Sequence, residues 1–260
     1  FSIGDSDVLL WAKGLAATSD FDVTVREPDV SPLQLQGPLS RDILGAAFGD
    51  KPTELKYFRF MEHDWNGVPL IISRTGWSSE LGYEIFLCDS RHGNDLWEYL
   101  MEVGEPMGLR PGHTSSIRRI EAAMLSYHAD MSLEHNPYEL GLDRLVDLDM
   151  EADFVSKKAL RRIKEEGVRQ YLVGLTFEGE PIVGSNDEYW PIMADGKQIG
   201  YVTSAVYSPR LEQNIALAMV HKDYSEIGTK AVIETTLMRR NCEVVPKPFY
   251  DPKKTLAAKS

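Results

Sequence analysis

Apolar residues recur along this chain with two alternating periods. Val8, Leu9, Ala12 and Leu15 share one face of a helix expected over 5–15. Val23 and Val25 alternate with polar neighbours, as in a strand, and Pro28 and Pro32 bracket a break. Leu33-Gln34-Leu35 reads as a short strand, and Gly37-Pro38 turns the chain into a helix over 40–48 that Gly49 stops. A strand is expected over 55–63. Asn66-Gly67 then signals a tight hairpin, because a type I′ turn needs positive φ at both central positions. Apolar-rich runs over 68–72 and 83–87 flank a loop containing Gly76, and helical spacing returns over 90–103 and 114–127. Thr114, Ser115 and Ser116 are capping candidates for the last helix. This order predicts an α+β fold, an antiparallel sheet with helices on one face.

After a charged helix over 156–166, capped by Ser156 and closed by Gly167, the pattern changes. Short apolar runs over 171–177, 198–206, 215–220 and 231–236 alternate with Gly, Pro, Asn and Asp turns. That reads as a small all-β barrel or sandwich. The expected domains are therefore 1–167, an α+β region, and 168–260, a C-terminal antiparallel barrel.

With 260 residues and 43% hydrophobic content, the chain can bury a large core. No apolar stretch approaches the roughly 20 residues that span a bilayer, and no signal peptide is visible. The chain begins at Phe1 and reads as a fragment or trimmed product, so its first residues say nothing about targeting. A net charge of −12 argues against nucleic-acid binding and mildly favours a cationic substrate. Cys88 and Cys242 stand alone, which suits a reducing cytosol with both thiols buried as small apolar residues.

The run Ser73-Arg74-Thr75-Gly76-Trp77-Ser78-Ser79-Glu80-Leu81-Gly82-Tyr83-Glu84 reads as strand, Gly-containing turn, strand. An indole in the loop and a carboxylate at the start of the next strand can face one pocket. Such a pair suits a flat heterocycle with an amidine-like edge: the ring stacks on Trp77 while Glu84 accepts two parallel N–H bonds. On spacing alone the preferred reading of the segment is a polar hairpin loop with a solvated glutamate. Tyr83 alternates with Glu84 and belongs to the opposite, core face. Tyr57 divides evenly between strand core and ligand contact. The six histidines form no metal-ligand pattern, and the acidic residues at 143–153 lack the order of a calcium loop. No Walker A, G-x-G-x-x-G or G-x-S-x-G occurs.

The same run resembles the pterin-binding signature of the aminomethyltransferase (glycine-cleavage T protein) superfamily, S-R-T-G-Y-T-G-E-D-G-[FY]-E. Leu35-Gln36-Gly37-Pro38, Arg119-Ile120-Glu121-Ala122, Asn136-Pro137-Tyr138-Glu139-Leu140-Gly141-Leu142, Asp153-Phe154-Val155-Ser156-Lys157, Tyr207-Ser208-Pro209 and Lys247-Pro248-Phe249-Tyr250 resemble other motifs of that family, in order. The resemblance covers nearly the whole chain and implies a three-lobed arrangement ending in a barrel. It implies tetrahydrofolate as the co-substrate, with Glu84 at the pterin ring, Trp77 in place of a pocket tyrosine and Tyr57 as a further pocket residue. An N-terminal portion of roughly a hundred residues, by the usual size of such a domain, is missing by comparison. The family's acting aspartate lies there, so no catalytic acid is named.

Arg119 is open to a folate-tail contact or to a structural ion pair with Glu121 or a sheet carboxylate, the second being preferred. The T protein's Arg–Asp pair is replaced by Ser115 and Ser116. Gly76-Trp77-Ser78, the run 119–127 and Ser204-Ala205-Val206-Tyr207-Ser208-Pro209 resemble the dimethylsulfoniopropionate demethylase branch. That branch implies a small-molecule methyl donor and neither nucleic acid nor membrane as partner. The alternatives are the T-protein reaction, a non-catalytic folate-binding relative, and the folate lobe of a flavin-linked dehydrogenase. The K-G-C-x-x-G-Q-E signature of the iron–sulfur assembly branch is absent.

Overall fold

The computed structural model describes residues 8–258, which divide into two compact units, 8–114 with 253–258 and 115–252. The composition change near residue 168 marks the start of the barrel strands, while residues 115–167 cluster with the barrel.

The first unit contains α1 (Val8–Ala17), β1 (Ser31–Gln36), α2 (Ser40–Phe48), β2 (Phe60–Trp65), β3 (Val68–Ser73), β4 (Gly82–Leu87) and α3 (Gly93–Gly104). Its four strands form one antiparallel sheet in the order β1-β4-β3-β2. The hairpin between β2 and β3 turns on Asn66 (φ 54°) and Gly67 (φ 84°), as its sequence requires. Leu35, Leu70, Ile72, Tyr83, Ile85 and Leu87 point to one face and close a core with Ile43, Leu44, Leu96 and Leu100 of α2 and α3. The register sets Gln34, Glu84, Ser73 and Phe60 in one row on the other face. Two expected strands differ. Residues 55–59 form a turn in which Arg59 N–H donates to Lys56 O and Phe58 takes φ 59°, so β2 starts only at Phe60. Val23 and Val25 lie in coil, Val23 exposed and Val25 half-buried, and neither belongs to a described strand.

In the second unit, α4 (Ser116–Glu121) and α5 (Lys157–Glu166) precede six strands: β5 (Gln170–Phe177), β6 (Trp190–Ala194), β7 (Lys197–Ser208), β8 (Gln213–His221), β9 (Lys230–Glu234) and β10 (Arg239–Val245). They close a barrel in the order β10-β5-β8-β7-β6-β9. Closure leaves no free strand edge within the barrel. Val173, Leu175, Phe177, Val202, Ala205, Ala216, Ala218 and Val244 belong to its core. Cys242 is buried there, and desolvation pushes its thiol up to about 11. Cys88 is only half-buried.

The helix expected over 114–127 stops at Glu121. Ser115 caps it by accepting Arg118 N–H, but Ala123 turns left-handed at φ 51° and the chain becomes a loop. Ser156 makes no side-chain cap for α5, since it is itself left-handed at φ 73°. Gly167, at φ 76°, ends that helix as expected.

Candidate functional site

Glu84 stands in the second strand from the edge and is half-buried on the face opposite Tyr83, which is fully buried. Its neighbour across β3 is Ser73. Thr75, just beyond β3, donates its hydroxyl to Glu84 Oε2, and Ser73 Oγ lies 2.8 Å from Thr75 Oγ1. This hydroxyl relay fixes one carboxylate oxygen. No described side chain bonds Oε1. An anionic acceptor is thus held in orientation with half of its bonding capacity available to a donor edge.

The loop over 74–81 carries Trp77, which is half-buried between Gly76 and Ser78. Ser78 Oγ donates to Gln36 Oε1 at 2.5 Å and accepts Glu80 N–H at 3.2 Å. Gln36 Nε2 donates to the Tyr83 carbonyl at 3.2 Å. Loop, β1 and the start of β4 are therefore joined through one amide. Sequence reasoning passed over Gln36, Ser73 and Thr75. Gln36 is 42 residues from Ser78, and only the strand order, with β4 inserted beside β1, brings them together.

Arg74 follows Ser73 and so points the other way. It is buried, donates Nη1–H to the Gly82 carbonyl at 3.2 Å, and lies over the Tyr83 ring at 5.1 Å. Burial lowers its pKa, opposed by Tyr83. Tyr57 sits in the turn before β2 against Phe58, with ring centroids 4.3 Å apart. Burial raises its phenol pKa and the nearby Arg74 charge opposes the rise. The structure thus joins Glu84 to Thr75 and Ser73, and places Tyr57 in the field of Arg74. A cavity of about 470 Å³ between β1, α3 and residues 109–114 is lined by neither Glu84 nor Trp77. Along the Glu84 row, Gln34 and Phe60 at the ends are exposed, Glu84 is half-buried and Ser73 is buried.

In the second unit the remaining motifs form scaffold. Arg119 pairs with Asp130 at 2.8 Å, both buried, and also donates to Ser204 Oγ at 2.8 Å. Asp130 further accepts Thr203 and Ser204 hydroxyls at 2.7 and 2.6 Å and Ser126 N–H at 2.9 Å. A bulge in β7 between Val202 and Ser204 lets these two consecutive hydroxyls reach one carboxylate. Glu121 accepts Ser208 Oγ at 2.6 Å and lies 3.2 Å from Arg118. The Glu121 carbonyl accepts Phe249 and Tyr250 N–H. The structural role preferred for Arg119 holds, with Asp130 rather than Glu121 as partner. Burial lowers the Lys247 pKa, and Asp130 counters it. No His, Cys, Asp and Glu cluster able to hold a metal occurs among the described residues, and none of their helices is long and apolar enough to cross a membrane.

The family model for the GCVT N-terminal domain matches residues 2–150, and that for the glycine cleavage T-protein C-terminal barrel domain matches 170–251. The chain belongs to the glycine-cleavage T-protein family. It is 36% identical over 234 residues to dimethylsulfoniopropionate demethylase DmdA of Ruegeria pomeroyi, covering 90% of this chain and 63% of that protein. It is 32% identical over 237 residues to an aminomethyltransferase of a Geobacillus species, covering 89% and 63%, and 35% identical over 226 residues to one of Bacillus mycoides, covering 85% and 60%. The chain thus spans less than two thirds of these relatives. The crystal structure of glycine cleavage system aminomethyltransferase T from Bartonella henselae shares the fold, with a TM-score of 0.79 at 21% identity over 95% of this chain and 66% of that one.

Proposed function

We propose that the complete protein is a tetrahydrofolate-dependent methyltransferase that demethylates dimethylsulfoniopropionate or a similar small sulfonium. The observation that carries this reading is the Glu84 carboxylate, oriented by Thr75 and Ser73, in the run that resembles the pterin signature. The acceptor-only oxygens of Glu84 suit the N–H donors of a pterin edge. Trp77, in the adjoining loop, offers an indole face to the ring or to the sulfonium charge, and Tyr57 is a further contact in this reading. The 36% identity to the demethylase supports the choice of donor. A net charge of −12 favours a cationic sulfonium centre over an anionic one.

The reaction asks little of protein acids. The methyl carbon leaves sulfur, which keeps the bonding pair and becomes a neutral thioether, and forms a bond to N5 of tetrahydrofolate, which releases its proton. Alignment of N5, carbon and sulfur is then the chief contribution of the protein.

Tetrahydrofolate and dimethylsulfoniopropionate supplied to the complete enzyme should yield 5-methyltetrahydrofolate and a thioether acid. Methylenetetrahydrofolate from an aminomethyl-lipoyl carrier, with no methyl product from the sulfonium, would transfer the protein to the aminomethyltransferase reading. That second reading is favoured by the 32–35% identities to aminomethyltransferases. Product from neither donor would point to a different methyl donor or a non-catalytic folate-binding relative.

A Trp77→Ala variant should bind tetrahydrofolate about tenfold more weakly, the loss of one stacked ring face, and the intact protein's indole emission should respond to the ligand. A variant that keeps both affinity and rate would reduce Trp77 to loop packing.

A further inference from the structure

We propose that Gln36 is a positioning residue, a latch between β1 and the 74–81 loop that presents Trp77 to the ligand in a preset geometry. The inference rests on the folate-site reading above and adds a residue that itself touches no ligand.

The Gln36 amide is engaged at both ends. Its oxygen accepts Ser78 Oγ–H at 2.5 Å, and its nitrogen donates to the Tyr83 carbonyl at 3.2 Å, with the Leu35 carbonyl at 3.3 Å. Ser78, next to Trp77, closes the arch through Glu80 N–H. One face of the amide meets Gly76 and the other Gly82. A Cβ built on either glycine would lie 2.3 Å from a Gln36 side-chain atom. Neither glycine has a positive φ, so the backbone there accepts alanine, and the nearest atoms a methyl would meet are those of the Gln36 amide, which would have to move aside. Gly76 and Gly82 are therefore explained by the amide between them rather than by turn geometry.

A loop tied in place before binding avoids the ordering cost that a free loop incurs when ligand arrives. Breaking the latch should weaken binding while leaving the bond-making step alone, because Gln36 bonds to loop and strand and not to Glu84.

The experiment is anaerobic calorimetry with tetrahydrofolate on the complete protein, alongside kcat at saturating donor and folate. The variants are Gln36→Ala, Gly82→Ala, the two combined, and Glu84→Gln as reference. Gln36→Ala should raise Kd about tenfold with kcat within roughly twofold of the parent. Gly82→Ala should raise Kd by a similar factor, because its methyl expels the amide. The double variant should be no weaker than either single one, since both break the same latch.

Parental affinity in Gln36→Ala, with Glu84→Gln impaired, would overturn the latch and spare the site. Losses that multiply in the double variant would also overturn it. Unchanged affinity in Glu84→Gln would instead remove the folate-site reading, and the latch with it. Should Gln36→Ala fail to fold, Ser78→Ala removes only the loop's hydroxyl and is expected to raise Kd severalfold. Parental affinity there would count against the latch.

Discussion

Asp130→Ala is expected to lower the free energy of unfolding by about 3–5 kcal/mol, the cost of leaving a buried charge without its partner. Asp130 is 1% exposed, and its carboxylate gathers the Arg119 guanidinium, two hydroxyls and a main-chain N–H. Truncation strands Arg119, itself 7% exposed, in a site shaped for an ion pair. Denaturant titration of the complete protein measures the loss. Arg119→Met should cost a similar amount by orphaning Asp130. Arg119→Met combined with Asp130→Leu should recover part of it, because removing both charges also removes the uncompensated desolvation. Losses under about 1 kcal/mol, the scale of solvent-exposed pairs, would show that water reaches the carboxylate.

For Glu84→Gln, tetrahydrofolate affinity should fall roughly ten- to a hundredfold, equivalent to about 1.5–3 kcal/mol for a charge-assisted hydrogen bond. The substitution keeps the shape and the oxygen that can accept from Thr75, so stability should change little. What it removes is the second acceptor and the negative charge. Calorimetric titration decides, and unchanged affinity would exclude Glu84 from the site. Thr75→Val would release the carboxylate from its orienting hydroxyl, with a smaller effect in the same direction.

Much of the scaffold was legible because burial imposes a period. The alternation that sends Tyr83 inward and Glu84 outward is a local rule, and the structure follows it. Asn66-Gly67 carries its turn in its own chemistry. Helix ends marked by glycine, as at Gly167, were readable for the same reason. Where a period continues beyond what tertiary contacts support, the sequence misleads. Met124 and Tyr127 prolong the spacing of α4, yet the chain leaves the helix after Glu121 so that Ser126 N–H can reach Asp130. Tyr57 was misplaced in a strand because nothing local announces a left-handed phenylalanine at position 58. The pair Glu84 and Trp77 drew notice through its motif. Its supports, Gln36 and Thr75, lie in the same motifs but carry no role there, because their importance lies in pairings between segments, and one sequence shows no pairings.

The bulge in β7 bears on how this barrel tolerates change over evolutionary time. Val202 and Ala205 both face the barrel core, so two residues lie between them where strict alternation allows one. Pairing with β8 runs from Val202–Ala218 to Ser204–Leu217, which makes Thr203 an insertion relative to the partner strand. Loss of that one residue would leave both halves of β7 in register with β8, and the sheet itself would gain regularity. Asp130, however, would lose a donor that no other position in the strand replaces. The extra residue gives a buried carboxylate its second hydroxyl donor, and a chain without the Arg119–Asp130 ion pair would place no such demand on the strand.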